Sequence, residues 1–531
     1  MRNIYCICFA CIAAMMTACG CTEKISGENG NGGGSVAAVS RVSVIPMPEK
    51  LTYGTSDIVL PDGITVSTSL TGGPLNLLSE TITALGRTVS PAADEGAFIR
   101  IAKDESMETE SYTISIGEEG CTVGYGDDAG LLWGIQTLRQ ILMYSSGGKI
   151  PCLEIEDAPA KSWRGFQVDV ARHIFGFDYL KTLTDLLSLY KINKLQLHLT
   201  DDQGWRLEIK QYPKLTETGA WRPLEDMERN NIAFIDPQFI RNGTEYGGCF
   251  TQEQMKELVA YAAERGIEVI PEIDVPGHSS AAIDAYPELS CTGETGWGEE
   301  FSYPLCAGDE STFEFFRNVM DEVADLFGSK HFHIGGDEVE TGIWADCPVC
   351  QEKLEELGYR KGDETELWTY FLERVAEHLA GKGLEVMTWD DAFRADKPLD
   401  VIYTFWRDWE PQQAASITQM GYPLVFMEWQ HFYLSADVSD EQLKNLYEYN
   451  TGTSFPGMVN SNLAGYQAAC FTEKICYEDR LSYHIFPSLY AFAELAWGTA
   501  DDWNGFISRL PQHLALLDEK DINYRLPDFI R

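Results

Sequence analysis

The stretch HFHIGGDEVE, His331 to Glu340, ends a short alternating run on two glycines and follows it with two carboxylates, Asp337 and Glu338. Similar groups close other strand-like runs. DVAR brings Asp169 and Arg172, HLTDD brings His198, Asp201 and Asp202, and PEIDVPGH brings Glu272, Asp274 and His278. TWDD brings Trp389, Asp390 and Asp391, while two further runs end on Trp406 and on Glu473. One polar residue at a strand end is usually a turn former. Seven such ends out of eight point instead to a shared mouth lined by carboxylates, Arg, His and Trp.

Paired carboxylates with aromatic walls suit glycoside hydrolysis, which usually places two carboxyl groups about 5–9 Å apart across the glycosidic bond. Asp337 and Glu338 fit that scheme badly, because neighbours have Cα atoms about 3.8 Å apart and point to opposite faces of a regular strand. Gly335 and Gly336 can break the regularity and turn both side chains into the mouth. The division of labour that fits is Glu338 as acid and base, with Asp337 steadying a group that the substrate itself supplies. Metal catalysis is not expected: the chain has no H-E-x-x-H, and His331 and His333 lie upstream of the glycines. A G-x-S-x-G nucleophile elbow is also absent. No cofactor is expected.

Eight apolar runs alternate with amphipathic stretches after Trp163: GFQVDV, KLQLHL, EVIPEI, HFHIGG, EVMTW, VIYTFW, PLVFME and GYQAACF. DYLKTLTDLLSLY, TQEQMKELVAYAAERG, TFEFFRNVMDEVADLFG and TYFLERVAEHLAGKG read as helices between them. This alternation predicts a (β/α)₈ barrel over residues 156–531, with active groups at the C-terminal strand ends. An open doubly wound sheet competes, but no G-x-G-x-x-G follows any strand. Residues 41–155 read as a small α/β domain whose Gly-rich dipeptides mark turns.

Arg2 and the apolar run Ile4–Met16 read as a signal peptide over residues 1–18, too short for a comfortable membrane span. Met16-Thr17-Ala18-Cys19 resembles a lipobox, so Cys19 is expected to carry a lipid anchor and residues 19–40, rich in Gly, to form a flexible linker. The expected location is periplasmic or at the cell surface, with that anchor as the sole membrane contact. A formal net charge of −42 repels a phosphate backbone and excludes nucleic acid as a partner. Nine cysteines lie beyond the leader, and export permits disulfides. CPVC, Cys347 to Cys350, has no second C-x-x-C to complete a zinc site. A local disulfide or free thiols are expected there, and Cys291 could pair with Cys306.

The stretches RGFQVDVARHIF, KLQLHLTDDQGWRLEI, GGCFTQEQMKELVAYAAERGIEVIPEIDVPGH, FHIGGDEV and TWDDA, in this order from Trp163 to about residue 500, resemble a family-20 glycoside hydrolase, a β-N-acetylhexosaminidase. The segment from SVIPMPEKLTYG to about residue 155 resembles the small domain preceding the barrel in that family. The resemblance implies an oligosaccharide or glycoconjugate substrate and a nucleophile carried by the sugar's own acetamido group. It implies Glu338 as acid and base, Asp337 on the acetamido group, and Arg172 as a clamp on sugar O3 and O4. Asp201, Asp274 and His278 look like support for that clamp and for Glu338, with Asp274 expected to press on Glu338 by like-charge repulsion. Trp389 and Trp406 look like walls of the acetamide pocket, Tyr433 like a donor to the acetamido oxygen, and Glu473 like a partner of O4. Phe471 stands where a third pocket Trp is usual, and Ser435 where an Asp is common. Loss of that carboxylate leaves either room for a sugar substituted at C6, such as a 6-sulfate, or a site completed by Asp437 or Glu428. Two rivals stand beside single-sugar release: a disaccharide-releasing enzyme of the same family, and a non-catalytic glycan-binding lipoprotein.

Overall fold

The structure, a computed structural model, describes residues 41–296, 302–436 and 438–531. The signal peptide, Cys19, the linker and Asp437 lie outside the described residues. The small domain is a seven-stranded sheet. Its strands, in chain order, are Lys50–Val59, Gly63–Ser67, Thr88–Ala92, Ile99–Lys103, Tyr112–Gly117, Gly120–Tyr125 and Lys149–Asp157. Their spatial order is first, seventh, fifth, sixth, fourth, second, third. The last of them runs past residue 155 to Asp157. Strict alternation of buried and half-buried residues along Tyr112–Gly117 is what a sheet covered on one face requires. The cover includes helix Asp128–Met143, which buries Leu131, Leu132, Trp133, Ile135 and Leu138. Asp127 starts that helix by accepting from the Gly130 amide at 2.8 Å.

The barrel closes from eight parallel strands: Trp163–Asp169, Lys194–His198, Glu268–Glu272, His331–His333, Glu385–Trp389, Ile402–Phe405, Leu424–Phe426 and Leu463–Cys470. The last pairs with the first. All eight apolar runs of the sequence are strands, and the four helical stretches are Phe177–Leu189, Gln252–Ala263, Glu310–Phe327 and Thr365–Gly381. Local sequence marks two of their ends: Thr251 and Gln254 form a reciprocal capping box, and Gly328 closes its helix in the left-handed conformation.

The small domain grips the barrel through buried charge. Lys191 reaches Asp157 at 3.0 Å, both side chains fully buried, and the Trp497 indole donates to Asp157 at 2.9 Å. Arg164, at the start of the first barrel strand, pairs with Glu110 at 2.5 Å. Among the described residues, no helix is long and apolar enough to cross a membrane. The nine described cysteines are all free thiols, so neither a Cys347–Cys350 bridge nor a Cys291–Cys306 bridge is formed.

Candidate active site

The fourth barrel strand ends at His333, and the chain then turns left-handed at Gly335 (φ 63°), Gly336 (φ 98°) and Glu338 (φ 49°). A side chain at Gly335 would put its Cβ 1.8 Å from an Asp274 carboxylate oxygen, and one at Gly336 would meet the Thr388 hydroxyl at 2.7 Å. Two glycines are therefore what lets Asp337 and Glu338 share one side of the mouth. Both line a cavity of about 490 Å³ together with Arg172, Trp389, Trp406, Tyr433, Phe471 and Glu473.

Arg172 is fixed from behind. It donates to Asp201 at 2.8 Å and lies 3.5 Å from Asp169, with its guanidinium 5.2 Å from the Phe471 ring centre. Burial opposes its charge, but Asp201 and Asp169 outweigh that and hold it firmly protonated. Its Nε is buried without a protein partner, while the side chain as a whole lines the cavity. Beneath it, His198 bridges Asp201 (2.7 Å) and Glu272 (2.9 Å), and the Trp389 indole donates to Glu272 at 3.0 Å. Burial would raise Glu272, but His198 and His333 outweigh it and hold the carboxyl well below its usual range. The wall Trp389 is thus oriented by an ion pair two strands away.

His278 sits at the centre. Its Nδ1 lies 3.2 Å from Asp201, and its Nε2 lies 3.6 Å from Asp337 and 3.4 Å from Glu338. Burial disfavours its cation, yet Asp201 and Asp337 raise its pKa well above the ordinary histidine value. Burial pushes the Asp337 carboxyl up to about 7, with the His278 charge pulling the other way. Asp274 accepts from the Gly336 amide at 3.0 Å. Its pKa is raised well above normal, first by burial and then by Asp337. The like charge pressing on it is that of Asp337, and its hydrogen bond pins the glycine turn.

Trp406 is held by an indole bond to Asp391 at 2.7 Å and lies parallel to the Tyr433 ring, 6.3 Å between centres. Phe471 closes the corner 5.0 Å from Tyr433. Ser435 lines the cavity. Glu428 is buried and engaged by the His431 ring and the Gln430 amide, so it does not replace the missing carboxylate; Asp437 lies outside the described residues. Sequence reasoning missed Trp429, Ala436, Lys474 and Ile475, which complete the lining. Trp429 and Lys474 lie three and four residues beyond a strand end, the signal that was available.

Three groupings here, His198/Asp201/Asp274, Asp201/Asp202/His278 and Asp274/His278/Asp337, bring ligand-capable atoms within 4.8 Å of one another. In each, Arg172 or His278 already supplies the compensating positive charge.

The chain matches the glycosyl hydrolase family 20 catalytic domain over residues 162–500 and domain 2 of that family over residues 41–158. A β-hexosaminidase of Porphyromonas gingivalis is 31% identical over 98% of this chain and 68% of its own length. One from Akkermansia muciniphila is 31% identical over 77% of this chain and 84% of its own. A GH20 exo-β-N-acetylglucosaminidase from Vibrio harveyi, solved with N-acetylglucosamine, superposes with a TM-score of 0.81 at 30% identity, covering 92% of this chain and 79% of that one. A β-N-acetylhexosaminidase from Bacteroides fragilis superposes at 0.78, with 29% identity over 91% of this chain and 97% of that one. With matched barrel, matched small domain and relatives aligned over nearly the whole length, the chain belongs to glycosyl hydrolase family 20 and is a glycoside hydrolase.

Proposed function

We propose that the chain is a retaining exo-hydrolase that removes terminal β-linked N-acetylhexosamine, GlcNAc or GalNAc, from glycans, with the sugar's acetamido group as nucleophile. The observation that carries this reading is the placement of Asp337 and Glu338 on one flank of the cavity, one residue apart on a glycine turn. The Asp337 side chain is 17% exposed and lines the cavity, so its carboxyl can accept an amide N–H of the substrate. Two carboxylates so placed cannot flank a glycosidic bond from both sides, which is the substrate-assisted exception to the two-carboxylate scheme.

In this mechanism Glu338 gives its proton to the glycosidic oxygen while the acetamido carbonyl oxygen bonds to C1 and the C1–O bond breaks. Asp337 accepts the acetamido N–H and balances the positive charge of the oxazolinium ring. Tyr433 donates to the acetamido oxygen, and Trp389 and Trp406 confine the group. Glu338, now a carboxylate, takes a proton from water, whose oxygen bonds to C1 as the bond from C1 to the acetamido oxygen breaks, which regenerates the acetamido group and restores the β configuration. Arg172 and Glu473 hold the ring hydroxyls.

The test is a leaving-group series. Glu338→Gln should lose about 10²–10⁴-fold in kcat on a glycoside with a poor leaving group and much less on an activated aryl glycoside, which needs little protonation. Asp337→Asn should be impaired on both, and an aryl glucoside lacking the acetamido group should not turn over. Comparable cleavage of the plain glucoside refutes the mechanism. Faster release from an aryl disaccharide than from aryl GlcNAc favours the disaccharide-releasing alternative.

A further inference from the structure

Outside the cavity, four cysteines from two different loops converge. Cys291 and Cys306 lie on the long loop after the third barrel strand, and Cys347 and Cys350 on the loop after the fourth. The first pair is brought together by an antiparallel bridge between Ser290 and Leu305. The second pair opens helix Pro348–Glu356, with Pro348 in its first turn. The four sulfurs lie within 4.8 Å of one another. Cys291–Cys350 and Cys306–Cys350 are 3.6 Å apart, and Cys306–Cys347 4.0 Å.

Those edges are informative. A zinc ion bound to thiolates at about 2.3 Å in a tetrahedron separates its sulfurs by about 3.8 Å. A disulfide needs about 2.05 Å. The site also has the surroundings of a metal knuckle. A Cβ at Gly308 would lie 2.5 Å from the Val349 carbonyl and 2.7 Å from Cys350 Cα. The CPVC turn packs on the Cys306 turn only because position 308 carries no side chain. Three of the four cysteines are buried and the fourth half-buried, so an ion there has no open position for water or substrate.

We propose that Cys291, Cys306, Cys347 and Cys350 form a closed structural zinc site. Four thiols lose their protons to solvent as one Zn²⁺ binds, and the all-sulfur tetrahedral set selects a thiophilic ion over calcium or magnesium. The first loop begins at Ile273, one residue before Asp274, and carries His278; the second carries Asp337 and Glu338. The ion ties these two loops to each other without touching the sugar. Sequence spacing concealed the site because its second half is C-x₁₄-C rather than C-x-x-C, with the two halves on separate loops.

The experiment is metal analysis of the full chain, purified without added metal or chelator, together with intact mass under non-reducing conditions. One zinc per chain with all four cysteines as thiols supports the site. Cys350→Ser should lose the zinc, while Cys249→Ser, a cysteine outside the cluster, should keep it. Should Cys350→Ser fail to fold, stripping the native protein with a mercurial and a chelating dye should release one zinc per chain. That stripping should also lower Tm by on the order of 10 °C, restored by Zn²⁺ after the thiols are freed. A mass four hydrogens short with no metal would show two disulfides and overturn the proposal. Free thiols that retain no zinc after it is supplied and dialysed overturn it too, and iron in place of zinc overturns the identity of the ion. None of these readouts depends on the glycosidase mechanism.

Discussion

Asp337 carries opposed demands. Burial lifts its carboxyl to about 7, while balancing a cationic intermediate requires the anion. His278, 3.6 Å away and held protonated by Asp201 and Asp337, is what keeps that anion accessible near neutral pH. Both groups bind protons more tightly folded than unfolded. Asp337 therefore withdraws stability as pH rises from about 4 to about 7, and His278 withdraws it above its unfolded value of about 6.5. For catalysis, activity should fall on the acid side as Asp337 takes up its proton. His278→Asn removes the positive charge and should move the acid limb of kcat/KM upward by on the order of one pH unit. A pH profile on aryl GlcNAc checks this, and an unmoved limb assigns it to another group. At this scale the sequence named Asp337, Glu338, Arg172 and His278 because polar residues that end apolar runs are conspicuous. It could not say that Asp274 pins the Gly336 amide, because a hydrogen bond between the ends of neighbouring strands far apart in the chain leaves no trace in spacing. Trp429, which opens the short helix Trp429–Phe432, and Lys474 follow strand ends closely, but which residues of those segments face the cavity is decided by tertiary packing.

The element that makes the site is the glycine turn after the fourth barrel strand. Gly335→Ala strains a left-handed residue and drives a methyl group into Asp274, displacing the turn that carries both carboxylates. We expect a loss of about 10²-fold or more in kcat, since a misplacement of about 1 Å costs that much. Gly328→Ala is the comparison: the same left-handed strain with nothing within 4 Å of the new Cβ. It should cost about 1–2 kcal/mol of stability and leave kcat unchanged. Kinetics beside thermal melts separate the two, and equal kcat losses would deny the turn its role. The barrel strands were legible because each is a short apolar run between helical stretches, the pattern that a sheet covered on both sides imposes. The hairpin Thr200–Asp201/Gly204–Trp205 and the ribbon of Trp221–Pro223, Ile240–Arg241 and Glu245–Gly247 were not. Two- and three-residue strands show no period, and Arg206, buried between these pieces with its guanidinium on the Ala171 and Ala220 carbonyls, reads in sequence as a surface charge.

Across the whole molecule, the small domain is bound to the barrel by a pair that sequence inspection passes over. Lys191 stands in the short connection between the helical stretch DYLKTLTDLLSLY and the strand KLQLHL, yet it is fully buried against Asp157, and burial lowers its pKa. Removing one partner of such a pair strands the other charge, so Lys191→Met should destabilise the protein by about 3–5 kcal/mol. The double variant Lys191→Met/Asp157→Asn should lose less than the single one, because no ion is left behind. Denaturant titrations measure both, and additive losses would mean the two side chains do not act as a pair. The change of rhythm at Trp163 coincides with the start of the first barrel strand, but the cement between sheet and barrel involves residues far apart in the chain and leaves no local pattern.

The aromatic wall has an optical consequence. Trp389, Trp406 and Trp429 line the cavity, and Trp409 stands edge-on to Trp406 at 4.9 Å. Trp389 is buried, while Trp429 is 47% exposed. Indole emission shifts to the blue when water leaves the ring, so a ligand that settles against Trp429 changes the colour of the light the protein returns. Occupancy of the mouth can be followed in the intact chain without any label.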